Sequence, residues 1–269
     1  MRFKLNNSGM ADEVVFYDED IERIFMPLLR RLTALRREKG RRVLAMLAAP
    51  PAAGKSTLAA VLGMLSRQEA GLYPLCVLSM DGFHRRQKWL LSHTTEHDGK
   101  TVLMTKIKGA PQTFDLGALV RGVARVAAGE ECLWPRYDRM LHDPVEDAVR
   151  VTGEVVLLEG NYLLLDQEGW RALRTYADYT IFVSADPALL RQRLLARHMA
   201  GGKSPKDAAD IVDGSDMVNA RLCLSHSASA DLTLSVDGDG HYIRCESSPG
   251  RESSLPFPYG QRHGSRRRH

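Results

Sequence analysis

The sequence predicts an α/β protein of three layers: a mostly parallel sheet with helices on both faces and a helical lid. Three observations carry that prediction. Short apolar runs begin at Val43 and occupy residues 75–80, 154–160, 179–184 and 232–236, each of them the length of a buried strand. Stretches with apolar residues at helical spacing lie between them, the alternation that gives a parallel sheet covered on both sides. Chemistry-bearing residues then end or follow three of the runs: the segment 49–57, Asp81 and Glu159. Ligands of such sheets bind at the carboxyl ends of the strands, so three independent signals fall on one edge.

The 269 residues are enough to bury a large core, and 44% hydrophobic with 26% charged residues is an ordinary globular composition. No apolar run is long enough to span a bilayer, and residues 1–8 lack the apolar stretch of a signal peptide. A cytoplasmic protein with no membrane partner is therefore expected. Cys76, Cys132, Cys223 and Cys245 are scattered and form no CxxC pair, which predicts buried thiols instead of a disulfide frame or zinc site. The net charge is +4, and the five arginines and one acid from Pro249 onward account for all of it. A neutral body with a basic tail argues against nucleic acid as the partner. A homodimer is the default expectation for assembly.

Residues 1–17 are polar and read as a flexible N-terminus, 18–245 as the folded domain, and 246–269 as a disordered basic tail rich in Ser, Pro, Gly and Arg. Asp18–Asp20 can cap a helix whose apolar positions run from Ile21 to Leu35, with Pro27 predicting a kink or a late start. Its basic end stops at Gly40. Residues 85–115 lack strong periodicity and suit an active-site loop with short helices. A helix over 116–128, an extended segment over 133–139 and the strand ending at Glu159 follow. Asp186-Pro187 then supplies an N-cap and first-turn proline for a helix reaching residue 199. Gly201-Gly202 interrupts, a further helix spans 205–226, and 232–236 is the last strand expected.

The strand that begins at Val43 turns through Ala49-Pro50-Pro51-Ala52-Ala53 into Gly54-Lys55-Ser56-Thr57 and an amphipathic run. That strand–loop–helix order is the context a phosphate-binding P-loop requires. Backbone N–H groups of the loop and the helix start favour bound phosphate. Lys55 reaches the β- and γ-phosphates of ATP, and the Ser56 hydroxyl ligates Mg²⁺. The pattern has glycine where this chain has Ala49, and Ala52 is a second place where glycine is expected. Alanine resists positive φ, so these positions either adopt conformations it tolerates or carry strain. Glu159 stands where a carboxylate holds Mg²⁺ directly or through water. Asp81 is the candidate to orient an attacking hydroxyl and accept its proton. Arg193 and Arg197 share a helix face, and the double glycine after them gives that helix the hinge of a lid. The dense polar segments 108–115 and 135–139 suit an acceptor pocket.

Taken in order, the P-loop, Met80-Asp81-Gly82-Phe83-His84, Lys108-Gly109-Ala110-Pro111-Gln112-Thr113-Phe114-Asp115, Pro135-Arg136-Tyr137-Asp138 and Leu158-Glu159-Gly160-Asn161-Tyr162 form a specific set. Together they resemble the P-loop kinase family of uridine kinase, bacterial pantothenate kinase and phosphoribulokinase. The likeness is strongest to the branch called nucleoside/nucleotide kinase family, also labelled sugar-transport kinases. It extends over about residues 20–245, including Arg197-His198, Gly201-Gly202-Lys203 and Asn219-Ala220-Arg221-Leu222. The resemblance implies a P-loop NTPase fold with ATP and Mg²⁺ as cofactors. It implies Asp81 as base, Lys55 on phosphate, Ser56 and Glu159 at the metal, and Arg193 and Arg197 in the lid. Asn219 then lies near the nucleotide, with His84, Arg136 and Tyr137 facing the acceptor.

The expected activity is ATP-dependent transfer of the γ-phosphate to a hydroxyl of a small metabolite: a nucleoside, a sugar or a pantothenate-like acceptor. The alternative is a non-catalytic nucleotide-binding switch or inactive kinase homologue, suggested by the alanines of the loop. A GTPase is disfavoured, since no Asn-Lys-x-Asp guanine-reading motif occurs.

Overall fold

In the computed structural model, the described residues are 1–7, 10–97 and 99–245; the basic tail expected at 246–269 lies outside them. The strands, in chain order, are β1 (Arg2–Asn7), β2 (Met10–Val15), β3 (Val43–Ala48), β4 (Leu75–Ser79), β5 (Thr94–His97) and β6 (Lys100–Leu103). They continue with β7 (Cys132–Asp138), β8 (Asp143–Val151), β9 (Val155–Gly160), β10 (Tyr179–Ala185), β11 (Leu232–Val236) and β12 (Tyr242–Cys245). Six of them build the central sheet in the order β12-β11-β10-β3-β9-β4. Every pairing is parallel except that of β12 with β11.

The layers follow from the sequence of β3. Val43, Ala45 and Leu47 join one core cluster with Leu29 and Leu32, while Leu44, Met46 and Ala48 join another with Leu119 and Val123. Successive residues of a strand point to opposite faces, so a strand covered on both sides reads as an unbroken apolar run. The helices Met26–Lys39 and Lys55–Gln68 cover the first face, and Leu116–Ala127 covers the second. Among the described residues no helix is long and apolar enough to cross a membrane.

The structure corrects some sequence expectations and refines others. Within the N-terminal segment read as flexible, Arg2–Asn7 and Met10–Val15 pair antiparallel as β1 and β2, and Phe3 and Phe16 are buried. Phe16 stacks on Tyr242 and meets Phe25 edge-on, so these rings anchor the chain start. Pro27 stands in the first turn of the α-helix Met26–Lys39, directly after a π-type distortion, as the expected kink or late start requires. A π-type turn over Ile21–Phe25, with the Met26 amide bonded to the Ile21 carbonyl, leads into the α-helix Met26–Lys39. The extended segment at 133–139 is half of an antiparallel hairpin with β8. The helix expected over 205–226 is present as one continuous helical stretch, with a π-type bulge at Val212–Asp216 between Pro205–Ile211 and Met217–His226. Leu232–Val236 is followed by one more strand, β12.

One close approach fixes the site's geometry. Gly82 follows Asp81, and a Cβ there would sit 2.1 Å from the Pro135 carbonyl oxygen in β7. That neighbour is backbone, so Gly82→Ala must displace the strand carrying Arg136 and Tyr137. Overpacking of this kind costs about 1–3 kcal/mol or more. Chemical denaturation should show that loss, and a comparable one for Gly160→Ala, whose Cβ would lie 2.1 Å from Cγ and 2.9 Å from Cβ of the fully buried Met80.

Candidate active site

The loop between β3 and the helix Lys55–Gln68 is shaped by two left-handed residues. Gly54 (φ 86°) is the N-cap, and Ala52 has φ 65°. Ala49 is not among the residues with positive φ, so of the two alanines only Ala52 is strained. The left-handed conformation costs a non-glycine residue about 1–2 kcal/mol. Ala52→Gly removes that strain but adds about 0.5–1 kcal/mol of unfolded-state entropy. A net gain of about 0.5–1 kcal/mol is expected, a rise of about 2 °C in a thermal melt.

Glu159 stands opposite Leu47 of β3 and Ser79 of β4 in the sheet register. It is buried, and Lys55 Nζ lies 3.9 Å from its Oε2. That oxygen is buried with no hydrogen-bond partner. Burial pushes the Glu159 carboxyl above the usual carboxylate range; Lys55 opposes the shift and Asp81 reinforces it. Asp81 follows β4, its amide donating to the Ser79 hydroxyl at 3.2 Å. Ser56 is exposed in the first turn of the helix. Lys55, Glu159 and Asp81 thus form one electrostatic group at the carboxyl edge of the sheet.

His84 lies just beyond Asp81 and stacks on Phe114 with ring centroids 3.9 Å apart. Tyr137 meets it edge-on at 5.2 Å, and Lys108 Nζ lies 5.3 Å from the Tyr137 ring. Burial lowers the His84 imidazole to about 4, with Asp81 opposing and Lys108 adding to the shift, so the ring is neutral at pH 7. Arg136 is exposed on the same strand as Tyr137.

The arginines expected in the lid differ in placement. Arg193 Nη1 donates to the Ala52 carbonyl at 3.5 Å, which puts it against the phosphate loop. Arg197 is exposed one turn further on. Arg191 points elsewhere, paired with Asp213 at 2.7 and 2.8 Å. Asn219 is buried and lies against the 108–113 segment: a Cβ on Gly109 would be 3.7 Å from its Nδ2.

Two participants escaped the sequence reading. Tyr162 is fully buried, and its hydroxyl donates to the Gly109 carbonyl at 2.6 Å, tying the end of β9 to the 108–113 loop. Tyr242 of β12 brings its hydroxyl to 3.6 Å from where a Gly54 Cβ would be. Both contacts are long-range, and no spacing in the chain signals them. Ser79 did carry a signal, since a serine two residues before an aspartate suits a hydroxyl-capped turn.

A glycine-capped loop entering a helix at the end of a parallel strand, with a lysine and a buried carboxylate behind it, defines a P-loop nucleotide-binding protein. No protein-family model matches the chain. It is 38% identical over 243 residues to the uncharacterized protein YggC of Escherichia coli K12, covering 90% of this chain and 98% of that one. A "putative uridine kinase" of Schizosaccharomyces pombe is 29% identical over 231 residues, covering 83% and 92%. The crystal structure of a "putative fructose transport system kinase" from Silicibacter sp. TM1040 superposes with a TM-score of 0.64 at 33% identity, covering 75% and 98%. The chain belongs to the P-loop kinase family that includes uridine kinases and bacterial pantothenate kinases.

Proposed function

We propose that the protein is an ATP-dependent small-molecule kinase that transfers the γ-phosphoryl group to a hydroxyl of its acceptor. The observation that carries this reading is the meeting of Lys55, Glu159 and Asp81 beside the loop that ends in Gly54. The loop N–H groups and Lys55 bind and orient the β- and γ-phosphates. Asp81 orients the acceptor hydroxyl and takes its proton as the new O–P bond forms. The transition state is loose, so orientation matters more than basicity. His84, neutral and packed on Phe114, borders the acceptor without competing for that proton. Arg193, already on the loop, adds positive charge beside the transferring group, with Arg197 available from the same helix.

The residues present suit a magnesium ion. Glu159 Oε2 is a buried oxygen with no hydrogen-bond partner, and the Ser56 hydroxyl stands at the helix start, a hard-oxygen set of the kind magnesium takes. Magnesium, when bound, neutralises charge on the phosphoryl oxygens.

The test is ADP release with ATP and Mg²⁺ against nucleosides, fructose, pantothenate and ribulose 5-phosphate. Acceptor-dependent release is the expected result. ATP binding without turnover on every acceptor would replace the kinase by a nucleotide-binding switch, and absence of ATP binding would remove the reading altogether.

A further inference from the structure

We propose that Tyr242 is a positioning residue of the phosphate loop: its ring is clamped by Phe16 and Phe25, and its hydroxyl braces Gly54, so that the two ends of the folded chain set the affinity for ATP. This rests on reading the loop that ends in Gly54 as the cradle of the ATP phosphates. The Tyr242 hydroxyl lies 3.6 Å from where a Gly54 Cβ would be. Among the described residues, no other group beyond the chain neighbours of Gly54 comes within 4 Å of that point. Gly54 caps the helix Lys55–Gln68, and its φ of 86° turns the loop into the first helical turn. Ala52, two residues earlier, is left-handed as well. Strained conformations of this kind persist only where the surroundings fix them. Arg193 meets the loop at the Ala52 carbonyl, and Tyr242 meets it at Gly54.

The ring is held on two sides. Phe16 stacks on it with centroids 5.8 Å apart, and Phe25 meets it edge-on at 5.2 Å. Phe3 of β1 packs edge-on against Phe16 in turn, at 6.1 Å. The backbone is fixed too: Asp20 Oδ2 accepts the Tyr242 amide at 3.0 Å, and Tyr242 stands opposite Val236 of β11. Its side chain is buried while Ile243, the next residue, is 53% exposed, as strand alternation requires. Burial pushes the Tyr242 phenol up, Arg193 opposes that shift and Asp20 adds to it. The group therefore stays a neutral hydroxyl at neutral pH, in the corner where Arg193 meets the loop.

A brace at this place has a definite kinetic consequence. The loop N–H groups hold the phosphates in the ground state and in the transition state alike. A residue that fixes the loop thus contributes uniform binding, which shows in the affinity for ATP and not in the rate at saturation. Rings from Phe16, Phe25 and Tyr242 carry that effect from the N-terminal hairpin and β12 to the centre of the site.

Calorimetric titration of the full chain with ATP and Mg²⁺, beside thermal melts without nucleotide, tests this. Tyr242→Phe keeps the ring and removes the atom that reaches Gly54. It should weaken ATP binding about threefold to tenfold, the scale of one lost hydroxyl contact, and leave the melt unchanged. In ADP-release assays the KM for ATP should rise while kcat at saturating ATP holds. Phe16→Leu loosens the clamp, so it should weaken ATP binding in the parent and add nothing in Tyr242→Phe, whereas independent sites add. Ile243→Ala, on the other side of β12, should bind ATP as the parent does. Unchanged ATP affinity in Tyr242→Phe, a loss of kcat in place of affinity, additive losses in the double variant, or an equal loss in Ile243→Ala would overturn the inference. ATP affinity that follows these variants in a protein that phosphorylates no acceptor would leave the brace standing and remove the kinase reading instead. A parent that binds no ATP would overturn both.

Discussion

Asp81→Asn is expected to lower kcat by about two to four orders of magnitude, the usual loss when a positioned acid–base group is removed. The substitution keeps the shape of the side chain and the backbone bond from the Asp81 amide to Ser79. What disappears is the ability to hold and receive the hydroxyl proton. ATP affinity should be unchanged or slightly stronger, because one negative charge leaves the neighbourhood of the γ-phosphate. The Glu159 carboxyl should ease back toward its ordinary range, since Asp81 is one of the two influences that raise it. Steady-state kinetics with a saturating acceptor, alongside direct ATP titration, separate these effects. A variant as fast as the parent would remove Asp81 from the reaction, and a loss of ATP binding would make its role structural.

The parts of this site that were legible in the sequence are local ones. The P-loop was readable because strand, turn and helix are contiguous, and because Lys55 and Ser56 follow a glycine that can take φ 86°. Glu159 was readable because an acid at the end of four apolar residues is hard to place elsewhere than at a sheet edge. The N-terminal hairpin was not, because its stabilising partner lies at the far end of the chain. The buried Asp20 carboxylate accepts the Tyr242 amide at 3.0 Å across 222 positions. β12 is hidden for the same reason, its single buried anchor being Tyr242, with Ile243 and Arg244 exposed. β8 alternates weakly and carries charges on its outer face, so hairpin pairing, not hydrophobic pattern, makes it a strand. The cleft between 107–112 and 214–226 combines both problems. Its two walls are each polar enough to read as loop or solvated helix, and only the approach of Asn219 to Gly109 reveals that they face each other.

Lys55→Ala is expected to reduce kcat by about 10²–10³, the scale set by losing one preorganised group that stabilises developing charge. It should also destabilise the free protein, for a separate reason. Glu159 is buried, and Lys55, 3.9 Å from its Oε2, is the first influence that holds its carboxyl down against burial. Removing one partner from a buried ion pair costs about 3–5 kcal/mol when the remaining charge finds no substitute. Glu159 can escape part of that by taking up a proton, which gives the loss a pH signature. A carboxyl whose pKa is raised on folding binds more protons in the native state, so its contribution to stability falls as pH rises from its unfolded value through its folded one. Taking away Lys55 raises the folded value further. Lys55→Ala should therefore be nearly as stable as the parent in mild acid and fall behind it toward neutral pH. Glu159→Gln added to Lys55→Ala removes the ionisable group; it should flatten that pH dependence and restore stability without restoring turnover. Urea denaturation at several pH values measures all three chains. A double variant no more stable than Lys55→Ala at neutral pH would show that the lysine acts on the phosphate loop alone, and that its proximity to Glu159 has no energetic consequence.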